Sequence, residues 1–105
     1  MSAQVGVFLP QMRMDFATIE ERVRTAEEVG FHSVWFMDHL APPMGPDHDC
    51  FEGWTVAAAL ARLTERIHLG HLVLCDAFRH PALLAKMAAT LDVITEGRLE
   101  LGLGW

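Results

Sequence analysis

The chain has little positive charge. Its 105 residues carry 8 Lys and Arg against 14 Asp and Glu, a net charge of −6. No basic stripe is present to neutralise phosphate groups, which disfavours nucleic acid and anionic membrane as partners. No run of residues approaches the roughly 18 consecutive apolar positions of a membrane span. The first residues, Met1 to Val7, lack the charged start and the apolar stretch of a targeting segment. Only two cysteines occur, Cys50 and Cys75, without close spacing; in a chain with no export signal they read as reduced thiols, not as a disulfide. Neither His71 with Cys75 nor the run Asp47-His48-Asp49-Cys50 has the spacing of a zinc signature, so no metal is expected. Together these absences describe a soluble, cytoplasmic chain.

What the sequence does have is apolar content and a repeat. Hydrophobic residues make up 51% of the chain, enough for a packed core and too many for disorder. Val5–Leu9 is a short apolar run closed by Pro10, the pattern of a buried strand. Asp15 can cap a following helix whose Phe16, Ile19, Val23 and Ala26 fall on one face. Glu20, Glu21, Arg22, Arg24 and Glu27 form its solvated side, and Gly30 stands where a C-terminal cap belongs. Ser33–Met37 reads as a second strand, Trp54–Leu63 as an alanine-rich helix and Ile67–Leu74 as a third strand. Pro81–Leu91 then reads as a helix with proline in its first turn, and Leu99–Leu103 as a fourth strand. Between Asp38 and Gly53 lies a long proline-bearing connection, the kind of βα loop that carries function.

The predicted strands begin 28, 34 and 32 residues apart, one βα unit each. Such alternation implies parallel strands, right-handed crossovers and helices packed outside. Either a doubly wound sheet or part of a (β/α)₈ barrel satisfies it. The first βα turn, Pro10-Gln11-Met12-Arg13, lacks the Gly-rich phosphate loop of dinucleotide folds, which counts against the first option without excluding it.

Three stretches resemble one family. They are Gly30-Phe31-His32-Ser33-Val34-Trp35-Phe36-Met37-Asp38-His39, then Arg79-His80-Pro81-Ala82-Leu83-Leu84-Ala85-Lys86, then Ala89-Thr90-Leu91-Asp92-Val93-Ile94-Thr95-Glu96-Gly97-Arg98-Leu99-Glu100-Leu101-Gly102-Leu103-Gly104. In this order and spacing they resemble the second strand, third helix and fourth strand of the luciferase-like oxidoreductases. The chain departs from that pattern where Gly104 runs directly into Trp105. The resemblance implies an α/β fold of the (β/α)₈ TIM-barrel type. Residues 1–105 would supply about four of its βα units, the N-terminal half of a barrel that takes about 250 residues in full.

The resemblance also implies chemistry. A reduced deazaflavin, coenzyme F420, or alternatively FMN, would lie at the carboxyl mouth of the strands and act on a small-molecule substrate. His39 is the catalytic candidate, because an imidazole can serve as acid or base near neutral pH. Asp38 would orient His39 or hydrogen-bond the cofactor ring. Leu72 and Val73 lie where the family often carries a non-proline cis peptide that backs the ring. The Asp38-His39 pair favours F420 and hydride transfer over an FMN monooxygenase. His80 is expected to serve the start of the third helix, Phe51 and Trp54 the core, and the weak Gly102-x-Gly104 pair offers only a guess at phosphate binding. A half barrel would leave strand edges and inward apolar side chains open, so self-association is expected. The third alternative is a non-catalytic packing or interaction module.

Overall fold

A computed structural model describes residues 2–105. In chain order the elements are β1 (Gly6–Phe8), α1 (Phe16–Glu28), β2 (Ser33–Phe36), α2 (Gly53–Ala61), β3 (His68–His71) and β4 (Leu74–Cys75). After a single 3₁₀ turn at Asp76–Phe78 come α3 (Pro81–Ile94), β5 (Leu99–Glu100) and β6 (Leu103–Gly104). The principal sheet has the order β1-β2-β3-β5, and every pairing in it is parallel. Each crossover carries a helix, so the alternation read from the sequence is the architecture found.

Two predicted strands are each divided. Ile67–Leu74 becomes β3 and β4 because the chain turns at Leu72 and Val73, whose connecting peptide is cis. Leu99–Leu103 becomes β5 and β6, and β6 pairs with β4 while β5 pairs with β3. The break recurs in the neighbouring strand because a parallel partner must follow its neighbour's path. At Gly102 a Cβ would strike the His71 carbonyl, and at Gly104 it would strike a Val73 methyl. These two glycines therefore serve close backbone packing, and nothing here supports the guess of a phosphate loop.

The helices form where the pattern predicts. Asp15 caps α1, its carboxylate accepting the Thr18 N–H at 2.8 Å, and Ile19, Val23 and Ala26 are buried. Gly30, at φ +94°, lets the chain leave α1 in the left-handed region while the Phe31 N–H reaches the Ala26 carbonyl. The His80 ring accepts the Ala82 N–H at 3.1 Å, which makes it the N-cap of α3. That helix runs one turn further than the sequence suggests, to Ile94. One expectation fails outright on α1. Glu27 is not simply solvated: its carboxylate accepts the N–H groups of Glu65, Arg66 and Ile67 and so anchors the approach to β3.

The core lies between the sheet and its helices. Val34 and Phe36 of β2 and Leu69 of β3 meet Ile19, Val23, Val56, Ala57, Leu60, Leu84 and Leu91. Each large side chain among them contributes about 1.5–3 kcal/mol through burial. Because side chains alternate along a strand, Phe8, Ser33, Trp35, His68 and Glu100 fall on the opposite, inner face. Gly70 is also there, and a Cβ on it would lie 2.7 Å from the Trp35 ring. Phe8 is exposed on this face, as Val5 is ahead of β1, so the first strand is the open edge expected of a half barrel and only partly the buried strand its apolar run suggested.

Candidate active site

The carboxyl ends of β2, β3 and β5 deliver the residues that the sequence singled out. Met37 follows β2, and its backbone is held from both sides by Gln11, a buried side chain from the first βα turn. The Gln11 amide donates to the Met37 carbonyl at 2.6 Å and its oxygen accepts the Met37 N–H at 3.1 Å. The same amide reaches the Phe51 carbonyl, and Phe51 N–H bonds back to the Gln11 carbonyl. One glutamine thus fixes both the end of β2 and the return of the long loop. Nothing in the sequence pattern marked it.

Asp38 follows at once and is 6% exposed. Arg79 donates to both of its oxygens, at 2.8 and 2.9 Å, and the Cys75 N–H donates to Oδ2 at 2.8 Å. Burial alone would raise the Asp38 carboxyl, but the hydrogen bonds from Arg79 and Cys75 and the Arg79 charge hold it below the usual carboxylate value. Its hydrogen bonds go to β4 and the arginine, not to His39. Arg79 also donates to Glu52 at 3.1 Å. Glu52 caps α2 by accepting the Trp54 and Thr55 N–H groups. Burial opposes ionisation of Glu52 as well, and its bonds to Thr55 and Trp54 with the Arg79 charge lower its carboxyl. Arg79 therefore joins the chain just after β2 to the start of α2, and Asp38 adds the end of β4 through the Cys75 N–H.

His71 lies behind this ion cluster. It is fully buried, stacked on Trp54 with ring centroids 5.5 Å apart, and neither ring nitrogen has a hydrogen-bond partner. Burial pushes its imidazole below the ordinary histidine value, against the pull of the Asp38 carboxylate. The ring is fully buried and packs between Trp54 and Phe36.

The face toward solvent is different. His39 is exposed, and its ring makes no hydrogen bond with the described residues, while its carbonyl is approached by the Cys50 thiol at 3.8 Å. Asp38, His39, Val73, Cys75, Phe78, Gly104 and Trp105 line a cleft of about 300 Å³. The structure brings Asp38, His39 and Val73 together in that cleft. Leu72 is not among its walls, although it is 56% exposed beside Val73 at 42%. The cleft is an apolar surface at the carboxyl ends of parallel strands, with one solvent-accessible imidazole at its rim. Such a surface can take one side of a flat ring and can exchange a proton at its edge.

Residues 1–105 match the family model described as luciferase-like monooxygenase. An F420-dependent glucose-6-phosphate dehydrogenase of Microbacterium testaceum (strain StLB037) is 39% identical over 98 residues, which are 92% of this chain and 27% of that protein. The chain thus spans about a quarter of the length of that relative. Among solved structures, an F420-dependent secondary alcohol dehydrogenase in complex with an F420-acetone adduct superposes with a TM-score of 0.89 at 28% identity, over 99% of this chain and 32% of the other. The oxygenating constituent of 3,6-diketocamphane monooxygenase from Pseudomonas putida, a type II Baeyer-Villiger monooxygenase in complex with FMN, superposes with a TM-score of 0.82 at 27% identity, over 98% and 29%.

Proposed function

The chain belongs to the luciferase-like monooxygenase family, and on that premise we propose that it contributes the N-terminal βα units, and the proton-handling edge, of an F420-dependent oxidoreductase acting on a small organic substrate. The observation that carries this reading is the meeting of His39 and Val73 in one apolar cleft at the carboxyl ends of the parallel strands. The cleft suits a ring on chemical grounds. Val73, Phe78 and Gly104 supply an apolar wall, and His39 supplies a donor or acceptor at its margin. When bound, the deazaflavin supplies a carbon centre that gives or accepts a hydride.

The protein's own residues do the rest. Asp38, locked by Arg79 and Cys75, sets the backbone from which His39 projects. The exposed His39 ring takes the proton from a substrate hydroxyl on oxidation, or returns it to a carbonyl oxygen on reduction. Val73 presents apolar surface that excludes water from one side of the ring. Asp38 borders the same cleft, with its carboxylate committed to three hydrogen bonds from Cys75 and Arg79.

Titration of the chain with F420 and with FMN, followed by fluorescence, tests the reading. The expected result is saturable F420 binding that survives in His39→Ala, with loss of the proton-transfer step in any βα-complete form that turns over. Failure of both cofactors to bind would overturn it. FMN binding in preference to F420 would favour the monooxygenase reading, which the similarity to the FMN-bound ketone monooxygenase supports.

We further infer that the isolated chain self-associates. Edge strands β1 and β5 pair on one side only among the described residues, and Phe8 and Leu101 are about half exposed. Apolar surface beside open strand edges recruits further strands. A non-catalytic packing module remains the reading to adopt should the assembly form without binding either cofactor.

A further inference from the structure

His32, His68 and Glu100 come from three different parts of the sequence and meet on the inner face of the sheet, at the end opposite the cleft. His68 opens β3, His32 immediately precedes β2, and Glu100 closes the short β5. The parallel register sets Gly70 beside Glu100, so His68 and Glu100 share one side of the sheet, and His32, just ahead of β2, reaches the same side by stacking on His68. The two imidazoles stack with centroids 4.3 Å apart at 30°. His68 Nδ1 is 2.8 Å and His32 Nε2 is 3.9 Å from the same carboxylate oxygen, Glu100 Oε1. One ligand atom from each residue lies within 4.8 Å of the others. In this chain the three side chains are 28–38% exposed.

We propose that His32, His68 and Glu100 form a binding site for a divalent transition-metal ion of the zinc class. Two nitrogens and one carboxylate oxygen are the donor set of borderline ions; magnesium and calcium demand oxygen. With bonds of about 2.0–2.1 Å, tetrahedral ligand atoms stand roughly 3.4 Å apart. The two separations from the Glu100 oxygen, 2.8 and 3.9 Å, bracket that figure. The remaining position is open to water. Because His32 and His68 stand at the starts of β2 and β3 and Glu100 on the adjacent β5, the ion clamps these three strands to one another. There it serves stability, whereas the chemistry belongs to the carboxyl end.

The sequence could not show this. The ligands are 36 and 32 residues apart, outside the spacing of any local metal motif. Only pairing of the strands makes them neighbours.

Zinc chloride titrated into the 105-residue chain, by calorimetry against a competing chelator, is expected to show one equivalent bound. Glu100→Gln and His68→Ala are each expected to weaken binding about 10- to 100-fold or more, the range that even ligand-orienting partners reach. Cys50→Ser and His48→Ala are expected to leave it unchanged. Should either variant fold poorly, imidazole NMR of the wild-type chain decides: zinc must shift the His32 and His68 ring signals and spare those of His39, His48 and His80. Absence of binding by the wild-type chain would overturn the site. So would loss of binding in Cys50→Ser, full binding by Glu100→Gln, or zinc shifts confined to the other histidines.

Discussion

Asp38 and Arg79 face each other with two parallel hydrogen bonds of 2.8 and 2.9 Å, across 41 residues of sequence. This fork-to-fork pair is the joint between the second and third βα units. It holds the backbone that presents His39, and it shares its arginine with the cap of α2. A planar guanidinium suits that double task in a way that a lysine ammonium does not.

Arg79→Lys is therefore expected to destabilise the chain although charge is kept, and Asp38→Ala to cost about 3 kcal/mol by leaving a partly buried arginine without its main partner. Urea unfolding of both single variants and the double variant checks this. The double variant should lose less than the sum of the singles. Full additivity would show that the pair does not act as a unit. Because the Asp38 carboxyl is lowered in the folded state, its contribution is present above the unfolded aspartate value of about 4 and is lost as pH falls through the folded one.

Glu27 gives a second pH-dependent contribution. Burial opposes its ionisation, but the N–H groups of Ile67, Arg66 and Glu65 outweigh this and lower its carboxyl. Glu27→Gln should cost about 1–3 kcal/mol at neutral pH. The deficit should shrink as the solution is acidified below the ordinary glutamate value of about 4, since the wild-type carboxylate is then protonated too. Chemical denaturation at a series of pH values measures it, and a deficit constant with pH would refute the assignment.

His71 titrates in the other direction. Its folded-state value is lowered by burial, so the unfolded chain takes up the proton first. Stability from the neutral ring is complete above the unfolded histidine value of about 6.5 and falls as pH drops from there toward the folded value. His71→Phe keeps an aromatic ring between Trp54 and Phe36 and removes two unpartnered nitrogens. The variant is expected to match or exceed wild-type stability at neutral pH and to lose the decline below it. A comparison of unfolding midpoints between about pH 7.5 and pH 5 is the measurement.

Self-association through the open edges predicts a mass above that of one chain in light scattering at micromolar concentration. Phe8→Glu, on the exposed inner face of β1, should shift the population toward monomer without altering far-UV circular dichroism. A wild-type chain that stays monomeric at all concentrations would contradict it.

Much of the fold was legible in advance because helix caps and apolar periodicity act locally. Asp15, Gly30 and His80 do the work that their positions suggest. The candidate site was legible in part. The family pattern drew attention to Asp38, His39, Leu72 and Val73, but not to Gln11 or Arg79 as their anchors. A lone buried glutamine and an arginine before a helix have no sequence signature, and their importance arises from partners 26 to 41 residues away. Glu27 was misread for the same reason: it occupies the polar side of an amphipathic helix, and only the approach to β3 supplies its donors.

The amino-acid sequence by itself determined the alternation of strands and helices, their parallel sense and which helix faces turn inward, because these follow from spacing, capping and burial within a few residues. The tertiary structure alone decided which polar side chains meet. It gathers His32, His68 and Glu100 at one end of the sheet, and Asp38, Arg79 and Glu52 at the other. Pairing of strands distant in the chain causes the first meeting, and the loops and helix starts that follow those strands cause the second.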